Sequence, residues 1–220
     1  MKYQRVRTAQ KEKDTTLKQS FERNGLNYPS EIFIRVFKEE KELELWAKNT
    51  KNEWQLFRKY DICSMSGEVG PKRQEGDYQV PEGFYVLDTF NPWSNFYLSM
   101  RINYPNKSDR KISTAKNLGG DIMLHGACVS IGCIAITDDF IKEVYWLAVL
   151  AKNNGQSVIP IHIFPCRMDE KRYAKLKNDY TEKSTLISFW DNLKEGYQFF
   201  EHYKKLPNVK VDKTGRYLFD

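Results

Sequence analysis

Apolar residues occupy every second position in residues 32–36 and again in residues 43–47, with a charged turn at 38–41 between them. Side chains of a β-strand point alternately to opposite faces of a sheet, so a period of two indicates strands with a buried face. The alternating residues are Ile32, Ile34, Val36, Leu43, Leu45 and Ala47. Two such strands joined by a short polar turn predict an antiparallel hairpin.

Further apolar stretches along the chain have strand or helix spacing. The strand candidates are residues 54–63, 84–89, 96–104, 122–124 and 158–164. Apolar residues recur three or four positions apart in two later segments, which predicts helices over residues 138–155 and 184–203. A short peripheral helix is predicted for residues 12–24, because only Leu17 and Phe21 there offer apolar surface to bury. These elements predict a fold that is mainly β with a few helices.

His125 and Cys133 lie eight positions apart, directly after an apolar run. A thiolate is the nucleophilic form of cysteine, and a nearby base or positive charge populates it at neutral pH. His125 can supply either, so we expect iodoacetamide to label Cys133 faster than an ordinary cysteine. Gly126 and Gly132 flank the two side chains and permit tight turns and close approach of a substrate carbonyl. The backbone N–H of Cys133 can then face the oxyanion that develops during attack.

Other interpretations of these residues stay open on the sequence. A histidine and a cysteine in an apolar stretch are often core residues. Zinc binding by His125, Cys128 and Cys133, with or without His162, is a second interpretation. A papain-type thiol protease is a third, and its local cysteine signature is absent.

The chain contains four cysteines, and three remain once Cys133 is taken as a nucleophile. An odd remainder does not fit a full disulfide framework. One pair among Cys63, Cys128 and Cys166 stays open, although Cys63 and Cys166 resemble small buried hydrophobic residues in strands. A bridge between Cys128 and Cys133 would block the nucleophile.

The same residues carry a resemblance to a known family. His125-Gly126, followed after a short spacer by Ser130-Ile131-Gly132-Cys133, resembles the HG and S/T-x-G-C signature of the L,D-transpeptidase catalytic domain family of the YkuD type. Residues 136–138 read Ile-Thr-Asp, as in the murein-transpeptidase-like branch of that family. Residues 67–72 and 77–83 resemble its G-x-x-G-x-K and P-x-G elements, in the same order along the chain.

The resemblance covers roughly residues 55–166 and continues weakly through 189–196. Two positions depart from it: Ile131 stands where many members have histidine, and Ala135 stands where many have arginine. An arginine at that second position would bind a carboxylate with two hydrogen bonds. Its absence leaves hydrolysis open beside transpeptidation.

The resemblance implies a β-sandwich-like L,D-transpeptidase catalytic fold and a reaction on peptidoglycan stem peptides. Cys133 would attack the bond between a diamino acid and a terminal D-alanine, and His125 would act as base and acid. Gly132 and Ser130 complete the catalytic candidates, with Ser130 orienting His125, contacting substrate or satisfying the turn. This chemistry requires no metal or organic cofactor. A wall hydrolase and a non-catalytic wall-binding module are the alternatives.

Three further side chains are candidates for contacting the carboxylates of a stem peptide, because several carboxylates require several donors. They are Lys72, Arg101 and Tyr104. The alternative is that all three are ordinary surface residues that do not contact substrate. The sequence carries no signal for oligomeric state.

The chain has 220 residues and a net charge of +6, and the excess lies largely at its start. Residues 1–24 hold seven Lys or Arg against three acids, which is 7 − 3 = +4. We therefore expect a basic segment or linker at 1–27, a catalytic domain at 28–168 and a C-terminal helical extension at 169–220. No nucleic-acid motif accompanies the basic segment. No apolar run is long enough to span a bilayer, and we expect a periplasmic or cell-envelope protein whose signal or anchor has been removed.

Overall fold

The computed structural model describes residues 2–220, and this part of the chain contains five helices and eleven strands. The helices are α1 (Gln4–Arg23), α2 (Lys107–Ile112), α3 (Asp138–Asn153), α4 (Glu170–Asp179) and α5 (Ser184–Tyr203). The strands are β1 (Ile32–Phe37), β2 (Glu42–Lys48), β3 (Trp54–Asp61), β4 (Ser64–Met65), β5 (Gly83–Asn91), β6 (Ser99–Ile102), β7 (Met123–His125), β8 (Ile134–Ala135), β9 (Ile159–Phe164), β10 (Val209–Val211) and β11 (Tyr217–Phe219). The predicted fold class, mainly β with a few helices, is confirmed.

Nine of these strands form one mixed sheet in the order β3-β2-β1-β9-β5-β6-β7-β8-β4. The predicted hairpin is β1–β2, with Ile32 opposite Ala47 and Val36 opposite Leu43. β9 inserts beside β1 as a parallel partner, which joins the hairpin to β5 and the strands that follow it. The sheet therefore brings the late strand β9 into its centre, and β7 and β8 lie toward one end.

Both faces of the sheet are covered, and this explains why β1 is buried at every position. Its residues Ile32, Ile34 and Val36 belong to the core cluster that includes α1 and α3. On the opposite face Phe33 packs against Phe200 of α5 with ring centroids 4.8 Å apart. A strand that is buried on both faces in this way is typical of the centre of a sheet.

The N-terminal helix is longer and more deeply packed than the sequence indicates. α1 begins at Gln4 rather than near residue 12, and it is not peripheral: Val6, Ala9, Leu17 and Phe21 are buried. It lies against α3, where Trp146 Nε1 donates to the Asp14 carboxylate at 2.8 Å, and Lys13 pairs with Asp139 at 2.6 Å. Lys13 of the basic segment thus serves an ion pair within the fold. The division of the chain at residues 27 and 168 stays a prediction.

A buried ion pair fixes the glycine-rich segment 67–83 to the core. Lys38 Nζ lies 3.1 Å from the Glu82 carboxylate and donates to the carbonyls of Gly70 and Val80 at 2.6 and 3.0 Å. Glu82 also accepts from Gly70 N and from Trp190 Nε1 of α5. A buried charge is stable only when it is paired and hydrogen-bonded, and this pair meets both conditions. The segment is therefore fixed by Lys38 of the β1–β2 turn and by Trp190 of α5.

Candidate active site

The parallel pair β7–β8 brings His125 and Cys133 to one face of the sheet. Leu124 lies opposite Ile134, and His125 lies opposite Ala135. Cys133 immediately precedes β8 and stands opposite Met123, whose N–H donates to the Cys133 thiol at 3.4 Å. Because side chains alternate between faces, Met123, His125 and Cys133 share the face opposite to Leu124. The two predicted reactive side chains are diagonal neighbours on adjacent strands.

Ser130 shapes the turn that presents the thiol. Its hydroxyl donates to the Cys133 carbonyl at 2.7 Å and accepts from Gly132 N at 3.2 Å. Gly132 has φ +125°, where a side chain is strained, although a Cβ there would be no closer than 3.5 Å to its neighbours. Glycine is therefore favoured at position 132 because of its backbone conformation, and not because a side chain would clash there. Of the roles predicted for Ser130, the structure places its hydroxyl in the turn.

Gly126 and Asp138 close the segment after the histidine. The Asp138 carboxylate accepts from Ala127 N at 2.8 Å, and Ala127 has φ +59°, an uncommon conformation for a residue with a side chain. A Cβ on Gly126 would lie 2.6 Å from Asp138 Oδ1 and 2.9 Å from Ile141 Cγ2. Gly126 is thus required by space, since the first turn of α3 packs directly on it.

The packing at Gly126 predicts a position-specific loss of stability. Gly126→Ala is expected to lower the free energy of unfolding by about 1–3 kcal/mol, since the added methyl displaces the start of α3. Gly120→Ala is the matched control, because nothing lies within 4 Å of a Cβ there. Denaturant unfolding measures both. Equal stability of the two variants would contradict the close packing at Gly126.

His125 is buried, and its hydrogen bond defines which ring nitrogen is free. Nδ1 contacts the carbonyl oxygen of Gly126, which can only accept, so Nδ1 carries the proton and Nε2 has the lone pair. The ring of Phe96 lies over the imidazole with centroids 4.7 Å apart. Burial lowers the pKa of His125, and the hydrogen bond to Gly126 opposes part of that shift. The neutral form of the ring is favoured.

The Cys133 thiol is free and half-buried. Burial raises its pKa, the Met123 N–H opposes this shift, and the carboxylate of Asp121 adds to it. Burial thus shifts both the thiol and the imidazole toward their neutral forms. These shifts run opposite to the populated thiolate that the sequence predicts, since burial disfavours the charged form of each group. The rate of iodoacetamide labelling stays a prediction. His125 is instead suited to remove the thiol proton during attack.

The backbone N–H of Cys133 has no hydrogen-bond acceptor within residues 2–220, whereas the N–H of Gly132 is used by Ser130. A free N–H beside a nucleophile is the kind of donor that stabilises a tetrahedral oxyanion. The Cys133 N–H, which the sequence predicts as the oxyanion donor, is therefore left available. The site thus contains a thiol, a neutral base and a backbone donor.

A disulfide joins Cys63 to Cys128 and ties the loop between His125 and Cys133 to the start of β4. Cys63 N also donates to the Ala135 carbonyl at 3.0 Å, so two links hold this edge of the site. Both cysteines of the pair are exposed, and the interpretation of Cys63 as a buried hydrophobic residue is wrong. Cys166 is a buried free thiol, as its context indicates.

The predicted substrate-contacting residues separate into two groups. Lys72 is 5% exposed, and its ammonium donates to Asp77 at 2.7 Å and to the Gln74 carbonyl at 2.8 Å. Tyr104 is also buried, and its hydroxyl donates to the Leu118 carbonyl at 3.2 Å. Lys72 and Tyr104 thus stabilise the loop 67–83, and they are not ordinary surface residues. Arg101 is exposed and makes two hydrogen bonds with Asp88, at 2.8 and 3.0 Å.

The zinc interpretation places His162 and Cys128 with the active-site pair, and the structure separates them. His162 lies in β9 with its ring 4.7 Å from that of Phe84, where burial lowers its pKa to about 3. Cys128 is bonded to Cys63. Across residues 2–220, no group of three or more His, Cys, Asp or Glu side chains has the arrangement of a metal site.

Three exposed apolar side chains, which we call the apolar rim, lie on loops within or beside the segment from His125 to Cys133. Ile131 is 80% exposed beside Gly132, and Phe96 is 41% exposed over His125. Tyr78, also exposed, precedes Gln79, whose carbonyl is the nearest atom to a Cβ built on Gly132. No periodic signal in the sequence marks these residues, because they lie on separate loops.

The family model of the L,D-transpeptidase catalytic domain, YkuD, matches residues 31–161. This match covers well over half of the chain and includes His125 and Cys133. The protein therefore belongs to the L,D-transpeptidase catalytic domain family.

Individual relatives agree with this assignment. The chain is 38% identical over 191 residues to a protein of Escherichia coli K12 provisionally named as the L,D-transpeptidase YafK, covering 86% of this chain and 74% of YafK. The YafK of Escherichia coli O157:H7 matches with the same values. The crystal structure of the helical cell shape determining protein Pgp2 from Campylobacter jejuni is similar with a TM-score of 0.50 and 18% identity, covering 84% of this chain and 73% of Pgp2. That likeness concerns the fold.

The helices described over residues 2–220 are all too short or too polar to cross a membrane.

Proposed function

We propose that this protein is a cysteine-dependent L,D-transpeptidase that acts on peptidoglycan stem peptides in the periplasm or cell envelope. The observation that carries the proposal is the placement of His125 and Cys133 on one face of β7–β8, beside the free N–H of Cys133. Membership of the L,D-transpeptidase family supports the same chemistry. The exposed apolar rim leaves the thiol open to an extended peptide.

The first half of the reaction forms a thioester. Cys133 Sγ attacks the carbonyl carbon of the diamino acid, and its proton passes to Nε2 of His125. The negative charge on the carbonyl oxygen is stabilised by the N–H of Cys133. The bond to the terminal D-alanine then breaks, and His125 returns the proton to the leaving amine. The acyl group remains on Cys133, and D-alanine leaves.

The second half transfers the acyl group. An acceptor amine attacks the thioester carbonyl, His125 takes a proton from that amine, and the proton returns to the thiolate as it leaves. A new amide bond replaces the thioester. When water attacks instead, the product is a shortened stem with a free carboxylate.

The remaining predicted residues act through position. Ser130 and Gly132 define the turn that aims the thiol and the Cys133 N–H. Lys72 holds the loop 67–83 beside that turn through Asp77, and Tyr104 contacts the Lys72 carbonyl at 3.4 Å. Arg101 is the predicted substrate contact whose charged group remains at the surface.

One observation favours a wall hydrolase as the second candidate. Position 135, opposite His125, is a fully buried alanine and offers no charged group for a carboxylate. A weaker hold on the acceptor or donor would let water compete for the thioester. The intact pair of His125 and Cys133 argues against a non-catalytic wall-binding module.

The test supplies a tetrapeptide stem as donor and a D-amino acid in excess as acceptor, and the products are weighed by mass spectrometry. The proposal predicts an adduct of tripeptide and acceptor that increases with acceptor concentration. Tripeptide alone at every acceptor concentration would replace the transpeptidase with the hydrolase. Recovery of unchanged tetrapeptide would leave the wall-binding module.

A further inference from the structure

A row of three residues crosses the sheet from β6 to the nucleophile. Arg101 lies opposite Met123 in the β6–β7 register, and Met123 lies opposite Cys133. Residues opposite each other on neighbouring strands point to the same face, and strands are about 4.8 Å apart. The Cα of Arg101 is therefore about 10 Å from that of Cys133, on the same face of the sheet.

Arg101 lies in a cavity of about 700 Å³ that is rich in positive charge. Four cationic side chains and one carboxylate line it, which gives 4 − 1 = +3. These residues are Arg101, Lys107, Arg110, Lys111 and Asp88. Within the described part of the chain Lys107 and Arg110 make no ion pair, whereas Arg101 is held by Asp88. A concave surface with this imbalance attracts anionic groups.

The cavity and the thiol also share one electrostatic neighbour. The carbonyl oxygen of Asp121 lies 3.7 Å from Cys133 Sγ, and its exposed carboxylate acts on both Cys133 and Arg101. An acyl donor with a carboxylate next to the attacked bond would be repelled by Asp121. Cations on the far side of Met123 would draw that carboxylate away from Asp121 and along the row.

We infer that this cavity, which we call the Arg101 pocket, binds a free carboxylate of the acyl donor on the amino-terminal side of the attacked carbonyl. The inference rests on the proposed function and deepens it by naming a structural requirement of the donor. Two hydrogen bonds from the Arg101 guanidinium to Asp88 fix its position. Its remaining N–H groups can therefore bind a second carboxylate with little further loss of side-chain entropy. The pocket supplies the cationic contact that Ala135 lacks.

The separation of Arg101 from Cys133 corresponds to a short stretch of extended peptide. An extended residue advances about 3.3 Å, and an arginine side chain shortens the 10 Å separation further, so the carboxylate belongs about one or two residues from the attacked carbonyl. A stem peptide whose second residue is a γ-linked glutamate with a free α-carboxylate has this chemistry. Amidation of that carboxylate removes the charge and retains the shape.

The experiment measures binding and turnover separately. Cys133→Ala protein is titrated by calorimetry with a tetrapeptide stem whose second residue is a free acid or an amide. The Arg101 pocket predicts about 10-fold tighter binding of the free acid, an effect typical of one charged hydrogen-bonded contact. Arg101→Ala and Arg110→Ala, each added to Cys133→Ala, are expected to abolish that preference.

Lys175→Ala in the same background is the control, since Lys175 is exposed on α4 and is not among the residues that line the cavity. It should retain the preference. Equal affinity for the two peptides, a preference unchanged by both arginine variants, or no binding of either peptide would overturn the inference. Turnover by the wild-type protein is scored independently: turnover without a preference overturns the Arg101 pocket alone, and a preference without turnover overturns the proposed function alone.

Discussion

Replacement of Cys133 with alanine is expected to reduce turnover of a tetrapeptide stem by at least about 10³-fold, because no other group in the site can form the acyl bond. The fold should persist, since Cys133 is half-buried and its thiol makes only weak contacts with Met123 N and Asp121 O. Release of D-alanine, followed by mass spectrometry, measures the loss. Circular dichroism measures the fold.

Cys166→Ala is the matched control for that experiment. Cys166 is the other free thiol, and it lies buried in the cluster formed with α4 and α5. Its replacement should leave turnover close to that of the wild-type protein. Turnover retained by Cys133→Ala, or lost equally in both variants, would contradict the assignment of the nucleophile.

The second large effect concerns His125. His125→Ala is expected to lower kcat/KM by about 10²- to 10⁴-fold, the range for loss of a positioned general base. Burial lowers the pKa of His125 below its usual 6.5, so the neutral base persists in mildly acidic solution. For the wild-type protein kcat/KM should therefore stay level near pH 7 and fall only as pH decreases below 6.5, through the pKa of His125.

The acid limb of this pH profile identifies the base. It should disappear in His125→Ala, because the group whose protonation causes it is gone, and remain in His202→Ala, since His202 is an exposed residue of α5. A limb that persists in His125→Ala would assign the base to another residue. An acid limb with a pKa above 6.5 would contradict the buried, neutral state of the imidazole.

The sequence was sufficient to predict those strands and helices whose apolar residues recur with a regular period along one buried face. The hairpin β1–β2 and the helix α5 follow from their alternation and spacing, and both lie where expected. α1 could not be placed in full, because its four buried residues are scattered among charged ones and its stability comes from packing on α3. Local sequence contains little of that information.

The candidate site shows the same division. His125 and Cys133 are eight residues apart and on adjacent strands, so a local motif was sufficient to find them. The Cys63–Cys128 bridge joins residues separated by 65 positions, and no spacing rule links them. The burial of Lys72 and the charge around Arg101 likewise depend on chain segments that meet only in the folded protein.

The direction of the pKa shift at Cys133 could not be predicted from the sequence either. A nearby histidine suggests a thiolate, but burial of both groups disfavours the ion pair. Under the proposed mechanism, His125 accordingly takes the thiol proton during the attack rather than before it. Substrate that excludes water and aligns the carbonyl would complete this arrangement.

In the proposed reaction, Cys133 carries the acyl group as a thioester. Intact-protein mass spectrometry after rapid acid quenching of a reaction with tetrapeptide donor, in the absence of acceptor, tests it most directly. We expect an added mass equal to the donor without its terminal D-alanine, mapped by peptide analysis to Cys133 and absent from Cys133→Ala. Turnover of the donor with no adduct at the earliest times, or an adduct on another residue, would contradict it.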